Sequence, residues 1–365
     1  MIALLALRAV AALAAVVQVL CHLSDPRIAE ASGIALSQRE SGVAFVQNDS
    51  GDSNRFFAID LRTGRTLATI YVPGARNVDW EDIASGPDAA GRPSVWLADI
   101  GDNDARRPQV QIYRVSEPPL DPAAHDAVLR TSRPAIWRLR YPGGPRDAES
   151  FAVGPDGRGY LVTKSLLGSS EVYRLPPRPD PDRVQTLRRI GVIQFSAHGV
   201  GNPFGLVGEL TATGAALSRN GAVFAVRTYA SAYLWRVGEG GLAAALHRTP
   251  TLVDLPRQPQ GEGITFAGRK LLVDSEGRHS AVLAVPLPPL LARATRVVRA
   301  SPGPSAATRG QLAERRHPAP THRSAGGIAV GVIVLLLVIG TAVLLQRRRR
   351  RRFRDDESDE PDEPR

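Results

Sequence analysis

Carboxylates recur at one place in a repeated pattern. Glu81 in "VDWEDIA" (78–84), Glu149 in "RDAESFAV" (146–153) and Glu262 in "QGEGITFA" (260–267) each precede an apolar step that reads as a β-strand. The same alignment puts Ser32 of "EASGIALS" (30–37) and Thr213 of "TATGAALS" (211–218) at the equivalent position. Carboxylates held close raise one another's pKa unless a cation neutralises them. Ca2+, which takes carboxylate and carbonyl oxygens, is one candidate, and nearby Arg or Lys side chains are the other. A second acidic set follows the next apolar strand: Asp49 of "DSGD", Asp99 of "DIGD" and Asp274 of "DSEG", with Thr163-Lys164 and Arg227-Thr228 in the other two units.

Two readings of these positions stay open. In the first, Glu81, Glu149 and Glu262 ring a site, with Asp49, Asp99 and Asp274 behind them as Ca2+ ligands, and Lys164 and Arg227 adding ligand-binding charge. In the second, the Glu residues cap backbone amides or pair with Arg76, Arg146 or Arg227 and brace the fold. The turn-forming habit of Asp followed by Gly accounts for any single copy of the second set. Other chemistries lack their residues. There is no His-x-x-x-His spacing in the strand region, no Gly-x-Ser-x-Gly elbow, no phosphate loop and no dinucleotide fingerprint. The glycine-rich "GVGNPFG" (199–205) lacks the Lys-Ser/Thr of a phosphate loop and reads as a plain loop.

The elements that carry these residues read as short strands separated by Gly, Asp and Pro from about residue 25 to 300. Five units repeat. After the acidic or hydroxyl-bearing first strand comes a second apolar strand, such as "GVAFV" or "SVWLA". The third carries an aromatic-Arg-apolar signature: "QIYRV", "EVYRL" and "YLWRV", at Tyr113, Tyr173 and Trp235. "FFAID" and "AVLAV" are weaker copies. Fourth strands are expected at "TLATIYV", "AIWRLRY", "LRRIGVIQF" and "TLVDL", and "TRVVRA" (295–300) would complete the fifth unit. The third strands are roughly 50 to 60 residues apart, the length of a four-stranded antiparallel blade. Blades stack radially because one alone cannot bury both its faces.

The pattern predicts an all-β protein, a β-propeller of five blades, or six if a long connection hides another. It resembles the WD40-like and phytase-like extracytoplasmic propellers of high-GC Gram-positive bacteria, without the Gly-His and Trp-Asp signatures of true WD40 repeats. If the first strand of each blade lines the axis, as in propellers, the shared positions form a ring at the channel mouth.

Hydrophobic segments bracket this region. Residues 1–21 hold one early charge, Arg8, and an apolar run of signal-peptide length. Cys21, the only cysteine, ends it in "VQVLC", a poor lipidation site because Leu20 is too large, and a single cysteine excludes an internal disulfide. Residues 326–346 contain the uncharged "GGIAVGVIVLLLVIGTAVLL", about 30 Å long as a helix, enough for one C-terminal transmembrane helix. The run "RRRRRRFR" that follows, within a tail of 347–365 that ends acidic, marks the cytoplasmic side. A Pro/Ala-rich linker, 301–325, joins the span to an ectodomain of 22–300. The expected location is therefore the cell membrane, single-pass, with the propeller extracellular.

Of 46 basic residues only Lys164 and Lys270 are lysines. Without Arg8 and the tail the chain carries about +8, spread rather than clustered, and that argues against nucleic-acid binding. Two function classes remain. One is a cell-surface module that binds a cell-wall component, a peptide or a small anionic ligand, or another protein. The other is a Ca2+-dependent hydrolase, phosphatase-, lactonase- or esterase-like, in which the ion polarises substrate and activates water. The binding module is favoured, because no residue pattern specifies a reaction.

Overall fold

The structure, a computed structural model, describes residues 16–296. Residues 1–15 of the leader, the linker, the span read at 326–346 and the tail lie outside the described residues. Among those described, no helix is long and apolar enough to cross a membrane.

Five sheets, three of four strands and two of five, make five blades, each built on four antiparallel strands. Blade one is β2 (Ala31–Leu36), β3 (Val43–Asn48), β4 (Arg55–Asp60) and β5 (Thr66–Tyr71). Blade two is β6 (Trp80–Pro87), β7 (Pro93–Asp99), β8 (Val110–Ser116) and β10 (Ala135–Arg140). Blade three is β11 (Ala148–Val153), β12 (Gly159–Thr163), β13 (Ser169–Arg174) and β15 (Arg188–Gln194). Blade four is β16 (Ala212–Leu217), β17 (Val223–Thr228), β18 (Ser231–Arg236) and β19 (Thr251–Asp254). Blade five takes β20 (Ile264–Ala267), β21 (Lys270–Val273) and β22 (Ala281–Pro286) from the end of this region, and β1 (Gln18–His22) from its start.

Strand β1 corrects one expectation. The fourth strand of the last blade is not "TRVVRA": Thr295 caps the short helix α3 (Pro289–Ala294), and β1 pairs with β22 instead, Val19 opposite Leu283 and Cys21 opposite Val282. A leader drawn to residue 21 therefore overlaps a strand of the propeller. Cys21 is buried beside Leu23, Val282 and Ala284, and burial, then Asp60, pushes its thiol up to about 11. Closing the ring with β1 brings the first and last strands of the described region into one sheet and leaves no blade open.

Blades two and one each gain an outer strand that the repeat does not foretell. β9 (Ala127–Arg130) lies parallel to β5, and β14 (Gln185–Thr186) lies parallel to β10. Helices α1 (Gly205–Leu210) and α2 (Gly241–Ala245) sit in connections.

The core is divided among the blade junctions, because strands such as β3 and β11 are buried on both faces. Phe45, Phe56, Trp80 and Tyr113 fill the layer between blades one and two. Trp96, Trp137, Phe151 and Tyr173 fill the next, with the two indoles 5.0 Å apart. Phe224 and Trp235 serve blades three and four, Leu234 and Leu271 blades four and five, and Phe57 and Leu272 blades five and one. The aromatic residues of the third-strand signature are thus junction fillers.

Candidate functional site

The shared position of the repeat has a structural identity. In β2, β6, β11 and β16 the register against the second strand slips across a single residue, and that residue is Ser32, Glu81, Glu149 or Thr213. Each is the extra residue of a β-bulge, which bends the inner strand and turns one side chain out of the normal alternation. Glu262 occupies the matching place two residues ahead of β20, and all five are buried.

The two hydroxyls of this ring stitch blades together. Ser32 donates to the carbonyl of Glu81 at 2.8 Å, and Thr213 to the carbonyl of Gly261 at 3.0 Å. The three Glu residues instead face a second ring, formed by the residue just past the second strand in four blades and by Glu276, three residues past β21, in blade five. The backbone amides of Asp49, Ile100, Lys164 and Glu276 fix this ring by donating to the carbonyls of Glu30, Asp79, Asp147 and Gln260, each two residues ahead of its own blade's bulge position. Tyr229 takes the place in blade four. Lys164 donates to Glu149 in a buried ion pair, and the Tyr229 hydroxyl donates to Glu262 Oε1 at 3.2 Å. Glu30, Asp147 and Glu276 stand half-buried at the rim.

Immediately below, the axis is shut. Asp82, next to Glu81, is 1 % exposed and points across it. Its Oδ2 accepts from the amides of Phe151 in blade three (2.7 Å) and Ala215 in blade four (3.2 Å), and its Oδ1 accepts from Ile83 (2.8 Å). Burial pushes its carboxyl well up against the pull of these amides. The equivalent positions in three blades are Gly33, Gly214 and Gly263, and a Cβ on Gly33 would fall 2.7 Å from the amide nitrogen of Ile83. The site is a closed bowl rather than a channel.

The bowl is strongly acidic. Burial, the largest cause, and the neighbouring carboxylates push Glu81, Glu262 and Glu276 well above the usual carboxylate range. Glu149 is raised to about 7, mainly by burial, with Lys164 opposing. Burial alone would lower the Lys164 ammonium, but Glu149, Tyr229, Asp147 and Glu81 hold it well above its ordinary value. Glu81 Oε1 and Glu262 Oε2 are buried without a hydrogen-bond partner.

The structure brings Glu81, Glu149, Glu262, Lys164 and Asp49 together, places Asp99 and Asp274 apart from them, and leaves Arg227 beside Glu262 with its hydrogen bonds spent elsewhere. The three aspartates do not form one shell, because they lie at three successive levels of their strands. Asp274 is level with Gly263, whose amide it accepts at 2.7 Å. Asp99 pairs with Trp80, accepts from the amide of Asp79 at 3.1 Å, and is held by Arg107 at 2.8 Å. Asp49 lies one residue further out and alone of the three reaches the bowl.

Arg227 is a buried clamp, donating to the carbonyls of Gly263 at 2.9 Å and Asp274 at 3.2 Å and to Gln258. Burial depresses it to about 10, with Glu262 and Asp274 opposing. Arg146 pairs with Glu171 rather than with an axial Glu. Asp82 and Asp79 escaped the sequence reading. Both stand in the quoted "VDWEDIA", and two consecutive acids inside a buried strand were the available signal.

No family model matches the chain, and no curated protein matches it. Among solved structures it is similar to the PQQ-bound form of an aldose sugar dehydrogenase from Streptomyces coelicolor. That match has 14 % identity and a TM-score of 0.41, and covers 74 % of this chain and 97 % of the other. It is also similar to the β-propeller domain of Cps50 (Swd1) from Myceliophteria thermophila, at 12 % identity and a TM-score of 0.38, covering 73 % and 99 %.

Proposed function

We propose that this protein is a membrane-anchored, extracytoplasmic binding module whose acidic bowl receives a cationic group. One observation carries the reading: buried carboxylates from three blades converge above the Asp82 floor, with Glu262 Oε2 unpartnered. Burial keeps this carboxyl protonated well above the usual range, and an entering ammonium would favour its ionised form and pair with it. The excess of carboxylates favours a cationic ligand over the small anionic one suggested by Lys164 and Arg227, since the first is committed to Glu149 and the second to backbone carbonyls. Peptides or cell-wall fragments with free amines fit this chemistry. The anchoring rests on the uncharged segment at 326–346 and the arginine run behind it.

The test is binding of amine-bearing peptides and cell-wall fragments to the full-length protein, each beside its N-acetylated counterpart. The free amine should bind and the acetylated form should not. Equal binding, or none, removes the reading. Protease added to intact cells should digest the propeller, and protection of it would reverse the topology.

A second reading, the Ca2+-dependent hydrolase, draws on Glu149. A carboxyl titrating near 7 beside Lys164 could exchange a proton at neutral pH. It requires turnover of a phosphate ester, lactone or carboxyl ester that disappears in Glu149→Gln.

A further inference from the structure

We propose that Asp49, Asp79 and Glu81 form a Ca2+ site at the junction of blades one and two. All three are buried, and one carboxylate oxygen from each lies within 4.8 Å of the others. Oxygens on opposite sides of a Ca2+ ion bound at ~2.4 Å are about 4.8 Å apart, so a single ion spans the group. The donor set is all hard oxygen, which suits Ca2+ and not the softer transition metals.

Two features beyond the clustering point to a ligand. Glu81 Oε1 is shielded from solvent and has no hydrogen-bond partner, although the β6 bulge aims it at the other two residues. A glycine also keeps the place open. A Cβ on Gly101 would fall 2.1 Å from Glu81 Oε1 and 2.5 Å from Asp79 Oδ2. No side chain fits there while both carboxylates keep their positions. Gly101 does not have a positive φ, so the requirement is for space and not for backbone freedom.

The surroundings hold the group in place. Asp99, fixed by Arg107, accepts from the amide of Asp79, and the carbonyl of Asp79 accepts from the amide of Gly101 at 3.1 Å. Across the junction, the Asn77 side chain donates to the carbonyl of Asp49 at 2.8 Å, tying the two acidic loops together. Lys164 is taken by Glu149 and Arg107 by Asp99, so each of these cations already has its own carboxylate. The ion would then sit at one corner of the bowl, held by blades one and two, and not on the axis among all three Glu residues. The proposal does not depend on which ligand enters the bowl.

The full-length protein in detergent, freed of metal and titrated with CaCl2 alone, tests it by calorimetry. One Ca2+ per chain should bind at neutral pH. Affinity should fall at least about tenfold in Glu81→Gln, which removes a charged ligand, and in Gly101→Ala, which displaces two. Glu262→Gln should bind Ca2+ as the unaltered protein does. The proposal is overturned if the unaltered chain takes up no Ca2+, if Glu81→Gln binds it normally, or if Glu262→Gln abolishes uptake. Should Gly101→Ala lose its β-sheet circular dichroism, Glu81→Gln and Asp79→Asn decide the matter. Binding of an amine-bearing peptide to the same samples separates the two readings. Amine binding without Ca2+ uptake overturns only the metal site, and Ca2+ uptake without amine binding overturns only the ligand reading.

Discussion

Replacing Asp82 by Ala removes the group that joins three blades at the axis. Its carboxylate accepts three backbone amides, those of Ile83, Phe151 and Ala215, and the last two belong to other blades. A buried donor left unsatisfied costs about 1–3 kcal/mol. Three of them, less the desolvation recovered when the buried carboxyl goes, give about 3–6 kcal/mol. In a domain of this size each kcal/mol moves the midpoint by about 2 °C, so Asp82→Ala should lower Tm by about 6–12 °C. Asp82→Asn keeps one acceptor oxygen, which can still serve Phe151 and Ala215, and turns an amide donor towards Ile83. It should cost about 1–3 kcal/mol. Thermal unfolding followed by circular dichroism measures both, and hydrogen exchange should quicken at the Phe151 and Ala215 amides first. An Ala variant within about 1 kcal/mol of the parent would refute the view that this side chain closes the axis.

Without bound cations, stability should fall as pH rises from about 4.5 towards 7, because Glu149 keeps its proton to about 7 when folded and loses it near 4.5 when unfolded. Its contribution is fully present below the unfolded value and is lost through the folded one, about 3 kcal/mol at most, and Glu149→Gln should remove that part of the fall while leaving the part that Glu81, Glu262 and Glu276 contribute. A chain beginning at Leu23 lacks β1 and exposes the edge of β22, so it should lose its cooperative transition. A soluble form that melts like the parent would contradict the closure. Arg227→Met should cost about 2–4 kcal/mol by stranding the carbonyls of Gly263 and Asp274, and Arg227→Lys should recover part of it.

The blade repeat was legible because third strands must place a large residue in a junction layer, as Tyr113, Tyr173 and Trp235 do. The shared position of Glu81, Glu149 and Glu262 was legible too, since a bulge inserts its extra residue at the same place in each inner strand. Its cause was hidden, because a bulge is a matter of pairing between strands. The same limit explains Asp49, Asp99 and Asp274. They look alike as turn-forming acids, yet a one-residue change of register turns a side chain to the other face. Asp82 was overlooked because its partners lie in blades three and four, far away along the chain. The last strand was misplaced for a related reason. Local patterning favoured the nearby "TRVVRA", whereas closure of the ring draws β1 from the other end.

The central claim is that the acidic bowl receives a cationic group, and the dissociation constant of one amine-bearing ligand tests it most directly. It should be measured at fixed ionic strength on the unaltered protein and on Glu262→Gln, whose Oε2 is a buried oxygen without a hydrogen-bond partner. The account predicts that the variant binds at least about tenfold more weakly, the ~1.4 kcal/mol minimum for losing a charged acceptor, while its spectrum and its Ca2+ uptake are unchanged. Equal affinity in the two proteins would contradict it.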